Sequence, residues 1–195
     1  MALSWAGISS GVFSVLLTDS KRLAAELARL EPREIVFSDS LRSDKAIEGI
    51  VEASGIPLSP QPASRFDSTS AEKRLREHFG VLAFDGFGAF SRAETASLGG
   101  LLDYILLTQV GKIPHLRIPR KEDGQAGLQI DAATRANLEL SRKLSGEREG
   151  SLLSVIDFTV TAAGARWLAS RLGQPLVQVP AIQARLDEGS HFDAM

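Results

Sequence analysis

The spacing of apolar residues changes repeatedly along the chain. From Leu3 to Leu17 strand-forming residues dominate without strict alternation, and Ser9, Ser10 and Gly11 interrupt them. This predicts a β-hairpin of Leu3–Ile8 and Val12–Leu17 around a tight turn. The period then lengthens. Leu23, Leu27 and Leu30 recur at helical spacing between a capping residue, Asp19 or Ser20, and the stop at Pro32. "REIVFSD" reads as a short buried strand, and "SDKAIEGIVEASG" as a helix with Ile47, Ile50 and Val51 on one face and Gly55 at its end. "IPLSPQPAS", with its prolines, predicts an edge strand or loop.

Thr69 and Glu72 have capping-box spacing ahead of a helix whose buried stripe is Ala71, Leu75 and Phe79, with Glu72, Lys73, Arg76 and Glu77 turned away. Ser91 and Glu94 repeat that spacing before a long apolar helix. Gly99 and Gly100 lie inside it, where each glycine costs about 1 kcal/mol relative to alanine. Close approach of another element is the expected reason. Gly111 and Pro114 are read as the helix stop. "HLRIPRKEDGQAGLQID" predicts one or two short strands around a charged turn. Beyond Asp131 the pattern is helix and turn: Ala132–Leu144, Leu152–Ile156, Ala162–Leu172 and Ala181–Asp187. The change places a domain boundary in "RKEDGQAG", giving an α/β domain over 1–121 and an all-α segment over 122–195.

Composition narrows the functional classes. The chain has 195 residues, 44% of them hydrophobic, enough for a packed core. A net charge of -2 lacks the basic signature of a nucleic-acid-binding domain. Without cysteine there is no disulfide or thiolate metal site. No apolar run reaches the roughly 20 residues that span a bilayer. The N-terminal stretch lacks the basic and apolar regions of a secretory signal.

Candidate chemistry is sparse. Gly111-Lys112 is followed by Ile113 where a phosphate-binding loop needs Ser or Thr. "FDGFGAF" lacks the third glycine of a dinucleotide fingerprint and reads as a loop with hydrophobic anchors. His78, His115 and His191 lie far apart, without carboxylates at metal-ligand spacing. Asp85 and Asp103 are the acids nearest the glycine loop, but the first strand carries none, where a two-metal nuclease needs converging carboxylates. No Ser sits in a nucleophile elbow. The residues assign no catalytic, cofactor-binding or metal-ligating role, and their basic patches read first as solvated faces.

Four stretches in order resemble the bacterial MutS mismatch-repair family: "AGISSGVFSV", "LDYILLTQVGKIPHLRIPR", "QIDAATRANLEL" and "GSLLSVIDFTVTAAGARWLASRLGQPL". The resemblance implies a ribonuclease-H-like connector domain (a mixed sheet with flanking helices) followed by the start of the helical core, or lever, domain. It implies a piece of a longer cytoplasmic protein. The piece would be non-catalytic, relaying between mismatch binding and an ATPase and offering a surface to MutL. ATP and Mg would belong to the full-length parent, as would contact with mismatched DNA. The family's base-reading Phe-x-Glu is absent: none of the nine phenylalanines has Glu two residues on.

Lys73, Arg74 and Arg76 are the expected partner-binding residues, against the plain alternative of a solvated helix face. Trp167, Leu168, Leu172 and Leu176 would pack on the rest of the lever, or in its absence support self-association. Two other readings stay open. One is a metal-dependent nuclease or resolvase using Asp85. The other is weak DNA contact through "HLRIPRKEDG" and Arg135.

Overall fold

The computed structural model describes residues 1–109, 114–124 and 127–193. The chain divides into two compact units. The first comprises Met1–Leu23 and Pro32–Gly124; the second comprises Ala24–Glu31 and the chain from Gln125 onward.

The first unit is a mixed α/β structure, as the hydrophobic pattern predicts. Strands β1 (Ala2–Gly7) and β2 (Val12–Leu17) form the expected antiparallel hairpin, with Ala2 opposite Leu17 and Gly7 opposite Val12. Both Ser10 and Gly11 donate their amides to the Gly7 carbonyl, and Gly11 takes φ +71°, a left-handed conformation that glycine adopts without penalty. Strand β5 (Arg120–Glu122) lies parallel on the other side of β2, pairing Ser14 with Arg120 and Leu16 with Glu122. β2 is therefore central, and Phe13, Ser14, Val15 and Leu16 are all buried. A strand covered on both faces needs no alternation, which accounts for the poor period of its sequence.

The third strand does not join this sheet. β3 (Ile35–Ser38) pairs in parallel with β4 (Leu58–Gln61) in a separate two-stranded sheet. Helix α2 (Lys45–Ala53) supplies the crossover that parallel pairing requires. Asp44 caps it, accepting from the amides of Ala46 and Ile47, and Gly55 at φ +66° follows its end. Tyr104 donates to Glu34 at 2.6 Å, and Ser59 also bonds that carboxylate.

The core of this unit forms where helices α3 (Ser68–Phe79) and α4 (Arg92–Thr108) pack on the hairpin. Phe13, Val15, Leu75, Phe84, Leu98, Leu102, Ile105 and Leu116 make one buried cluster. Gly99 and Gly100 are explained by what they touch. A Cβ on Gly99 would lie 2.6 Å from the Ala71 Cα, and one on Gly100 would strike the Phe66 ring. The Ser91–Glu94 capping box of α4 is fully formed. The Thr69–Glu72 box of α3 is not. Asp67 caps α3 instead, accepting from the Ser70 amide at 2.9 Å, so Thr69 falls inside the first turn. The helix stop read at Gly111 lies outside the described residues; α4 ends at Thr108, with Gln109 as its cap.

In the second unit, helix α1 (Ser20–Leu30) contributes its residues from Ala24 onward, its earlier residues belonging to the first unit. The other helices are α5 (Ala132–Asn137), α6 (Leu152–Ile156), α7 (Ala162–Gly173) and α8 (Val179–Asp193). α5 is much shorter than the expected Ala132–Leu144. The carbonyls of Glu139 and Leu140 accept from the amides of Leu152 and Leu153, at 3.0 and 2.9 Å, and Glu139 turns to φ +46°. Backbone groups used to hold α6 are withdrawn from the helix ladder. Arg135 is only 8% exposed and donates to the Gly173 carbonyl at 2.8 Å. Arg29 of α1 bonds Gln174, and Glu31 takes Ser141 and Arg142. These contacts account for the polar side chains of the α5 region.

Candidate partner interface

The outer face of α3 is built by helical spacing. Ala71 and Leu75 are buried, so residues one position further on in each turn are carried outward. Glu72, Lys73, Arg76 and Glu77 are exposed. Lys73 lies 3.9 Å from Glu77, a loose surface pair of small energetic weight. Gly80, at φ +66°, closes the helix.

The three expected contact residues are not equivalent. Lys73 and Arg76 share the outer face. Arg74 is turned inward: its Nη2 donates to the Arg65 carbonyl at 2.6 Å, and its Nε lies 3.9 Å from Asp103 Oδ1. Arg65 pairs with the same carboxylate at 2.5 Å. Asp103 thus holds two arginines against α4, and Arg74 joins α3 to that pair. The sequence pattern marks Asp103 only as an acid near the glycine loop and gives no sign of its pairing with Arg65. The available signal was an acid in the middle of the apolar run "LLDYILL", where an unpaired charge is costly.

Helix capping sets the electrostatics of the face. Hydrogen bonds from the Ser70 backbone and side chain hold the Asp67 carboxyl below its ordinary 3.8. In the second unit, the Thr134 side chain and backbone do the same for Asp131. His78 is pushed below its ordinary value by burial and then by His115, and its ring meets Phe79 edge-on. An acid whose folded pKa is depressed adds stability above its unfolded pKa, and that stability is lost as the pH falls through the folded value. Thermal melts should therefore show a falling midpoint below pH 3.8. Asp67→Asn, which keeps an acceptor but no titrating group, should flatten that fall.

The other candidate residues are dispersed. Phe84, Phe87 and Phe90 of the glycine-rich loop pack together, Phe87 also against Phe79, as hydrophobic anchors. The side chains of Asp85 and His191, and the whole of Gly111, Lys112 and Ile113, lie outside the described residues. His115 is exposed and His78 half-buried. Among the described residues no three His, Cys, Asp or Glu come together as a metal site. Arg117 and Arg120 are exposed, but Lys121 pairs with Glu94 at 3.0 Å. Arg135 is spent on Gly173, which removes it from the surface that DNA contact would need. A cavity of about 150 Å³ between Phe37, Ile47, Val51 and Leu58 is smaller than the few hundred Å³ usual for a ligand pocket.

Residues 1–117 match the family model described as MutS domain II, and residues 133–191 match that of MutS domain III. The chain belongs to the MutS family. It is 50% identical over 186 residues to the DNA mismatch repair protein MutS of Ruegeria sp. (strain TM1040). It is 47% identical, over the same length, to those of Roseobacter denitrificans and Azorhizobium caulinodans. These alignments cover 95% of this chain but only about a fifth of each relative, 20–21%. The α3 face falls within the MutS domain II match, and the MutS domain III match opens in the first turn of α5. Among the described residues no helix is long and apolar enough to cross a membrane.

Proposed function

We propose that this chain is a non-catalytic connector and relay element of a DNA mismatch-recognition protein, with its domain boundary at residues 121 and 122. The observation that carries the reading is the ordered pair of matches to MutS domains II and III on a chain spanning about a fifth of its relatives. The connector would be ribonuclease-H-like. In support stand an antiparallel hairpin extended by a parallel strand and the helices packed on it. ATP, Mg and mismatched DNA would be bound by other parts of a longer cytoplasmic protein. The nuclease alternative gains no support from Asp103, which is occupied by Arg65 and Arg74.

The proposed surface for MutL is the outer face of α3, centred on Lys73 and Arg76. Arg74 would support it from behind. On the second unit, Trp167 (56% exposed), Val179 and Leu186 present apolar surface that self-association would use, whereas Leu168, Leu172 and Leu176 are half-buried.

A titration against MutL from the same source, without DNA, tests the assignment. The double variant Lys73→Glu/Arg76→Glu should weaken binding by about tenfold or more, equivalent to ~1.4 kcal/mol. Arg74 is left intact in that variant, because reversing it would disturb Asp103. Unchanged affinity in the double variant would remove α3 as the docking face.

A further inference from the structure

β5 is three residues long and, among the described residues, is paired on one side, with β2. A ladder that short holds an edge segment weakly. Side-chain anchors from Lys121 and Arg22 add to it among the described residues. Lys121 Nζ lies 3.0 Å from Glu94 Oε2 and 3.3 Å from the Ala89 carbonyl. Arg22 Nη2 donates to the Gly124 carbonyl at 2.5 Å.

The Glu94 anchor is the unusual one. Its side chain is fully buried. Oε2 also accepts from the Ser91 amide and hydroxyl, each at 2.7 Å, while Oε1 meets no donor among the described residues. The Ser91 bonds are local to α4 and persist wherever β5 goes. The cation comes from β5. Withdrawing Lys121 would strand a buried carboxylate, which is far more costly than losing an exposed pair. Removal of β5 from the sheet is therefore opposed by more than three residues of backbone pairing.

We propose that residues 120–124 are a releasable strap, latched to the first unit by Lys121 on Glu94, and that this latch fixes where the chain leaves that unit. Gly124 is the last residue of the first unit, and the strap lies in the stretch between the two family matches, which end at 117 and resume at 133. The inference stands apart from the MutL surface: it concerns docking of the strap, read without any partner. If the relay reading holds, the strap is the segment through which release would be transmitted.

Limited trypsin digestion and hydrogen exchange on the whole chain test it. Arg120 remains a cleavage site in every variant. Lys121→Met should speed cleavage after Arg120, and exchange of the 121–124 amides, by about tenfold or more, leaving residues 98–105 of α4 unchanged. Lys121→Arg should stay near wild type. Glu94→Gln/Lys121→Met should show little further loss beyond Lys121→Met alone, because the single variant already breaks the pair. Equal protection in Lys121→Met and wild type would overturn the latch. Uniform loss across α4 would overturn the strap, making the pair a support of the whole unit. Should Lys121→Met fail to fold, Glu94→Gln decides: glutamine can keep the cap, so strap exposure should rise with α4 intact, and no rise overturns the proposal.

Discussion

Leu75→Ala should destabilise the first unit by about 2–5 kcal/mol, the range for emptying a buried leucine site that cannot collapse. Leu75 is 0% exposed and lies in the cluster with Phe13, Val15, Leu98 and Leu102, held between α3, α4 and the hairpin. Its neighbours come from different elements, so no single side-chain movement fills the space. Urea denaturation followed by circular dichroism measures the loss. Leu82→Ala is the matched control. Leu82 is 93% exposed and should change stability by no more than about 0.5 kcal/mol. Equal effects at the two positions would mean that the α3–α4 core is not packed as described.

Gly99→Ala should also destabilise, although alanine is the better helix former by about 1 kcal/mol. The added Cβ would come 2.6 Å from the Ala71 Cα, which is backbone and cannot swing aside. α3 would have to shift as a body, and overpacking of this type costs about 1–3 kcal/mol. Gly100→Ala should cost less, because the atoms nearest its added Cβ belong to the Phe66 ring, a side chain. The decisive measurement is the double variant Ala71→Gly/Gly99→Ala. It removes the Ala71 Cβ, the atom nearest the added methyl, but leaves the Cα, so it should recover part of the thermal midpoint. No recovery would show that the loss arises elsewhere than in this contact.

These cases mark what could be seen in the sequence. The hairpin, α2, α6 and the Ser91–Glu94 box depend on neighbours a few residues away, and their patterns were legible. The two interior glycines announced a close approach without naming Ala71 or Phe66. Where a competing group decided the outcome, the pattern misled. The Asp67 carboxylate took the α3 cap from Thr69. The carbonyls of Glu139 and Leu140 were drawn to α6, ending α5 early. The outward placement of Lys73 and Arg76 followed from helical period. Arg74 did not, because its position is set by Arg65 and Asp103. The pairing of Lys121 with Glu94 is equally a tertiary fact, its partners standing 27 positions apart in the chain.

The division of α1 has a consequence for how this part of the protein could be exchanged or inherited. The second unit is discontinuous: Ala24–Glu31 belongs to it, nearly a hundred residues before its main stretch. Arg29 on Gln174 and Glu31 on Ser141 and Arg142 are bonds that unit makes internally. A recombination event or graft cut near residue 124 would carry away the main stretch and leave those partners behind. Besides that cut, a chimaera would need two more crossovers, one on each side of the α1 segment, to move the unit intact. Sequence drift in α1 is correspondingly constrained from both sides, and substitutions at Arg29 or Glu31 should be tolerated best when Gln174 or Arg142 changes with them.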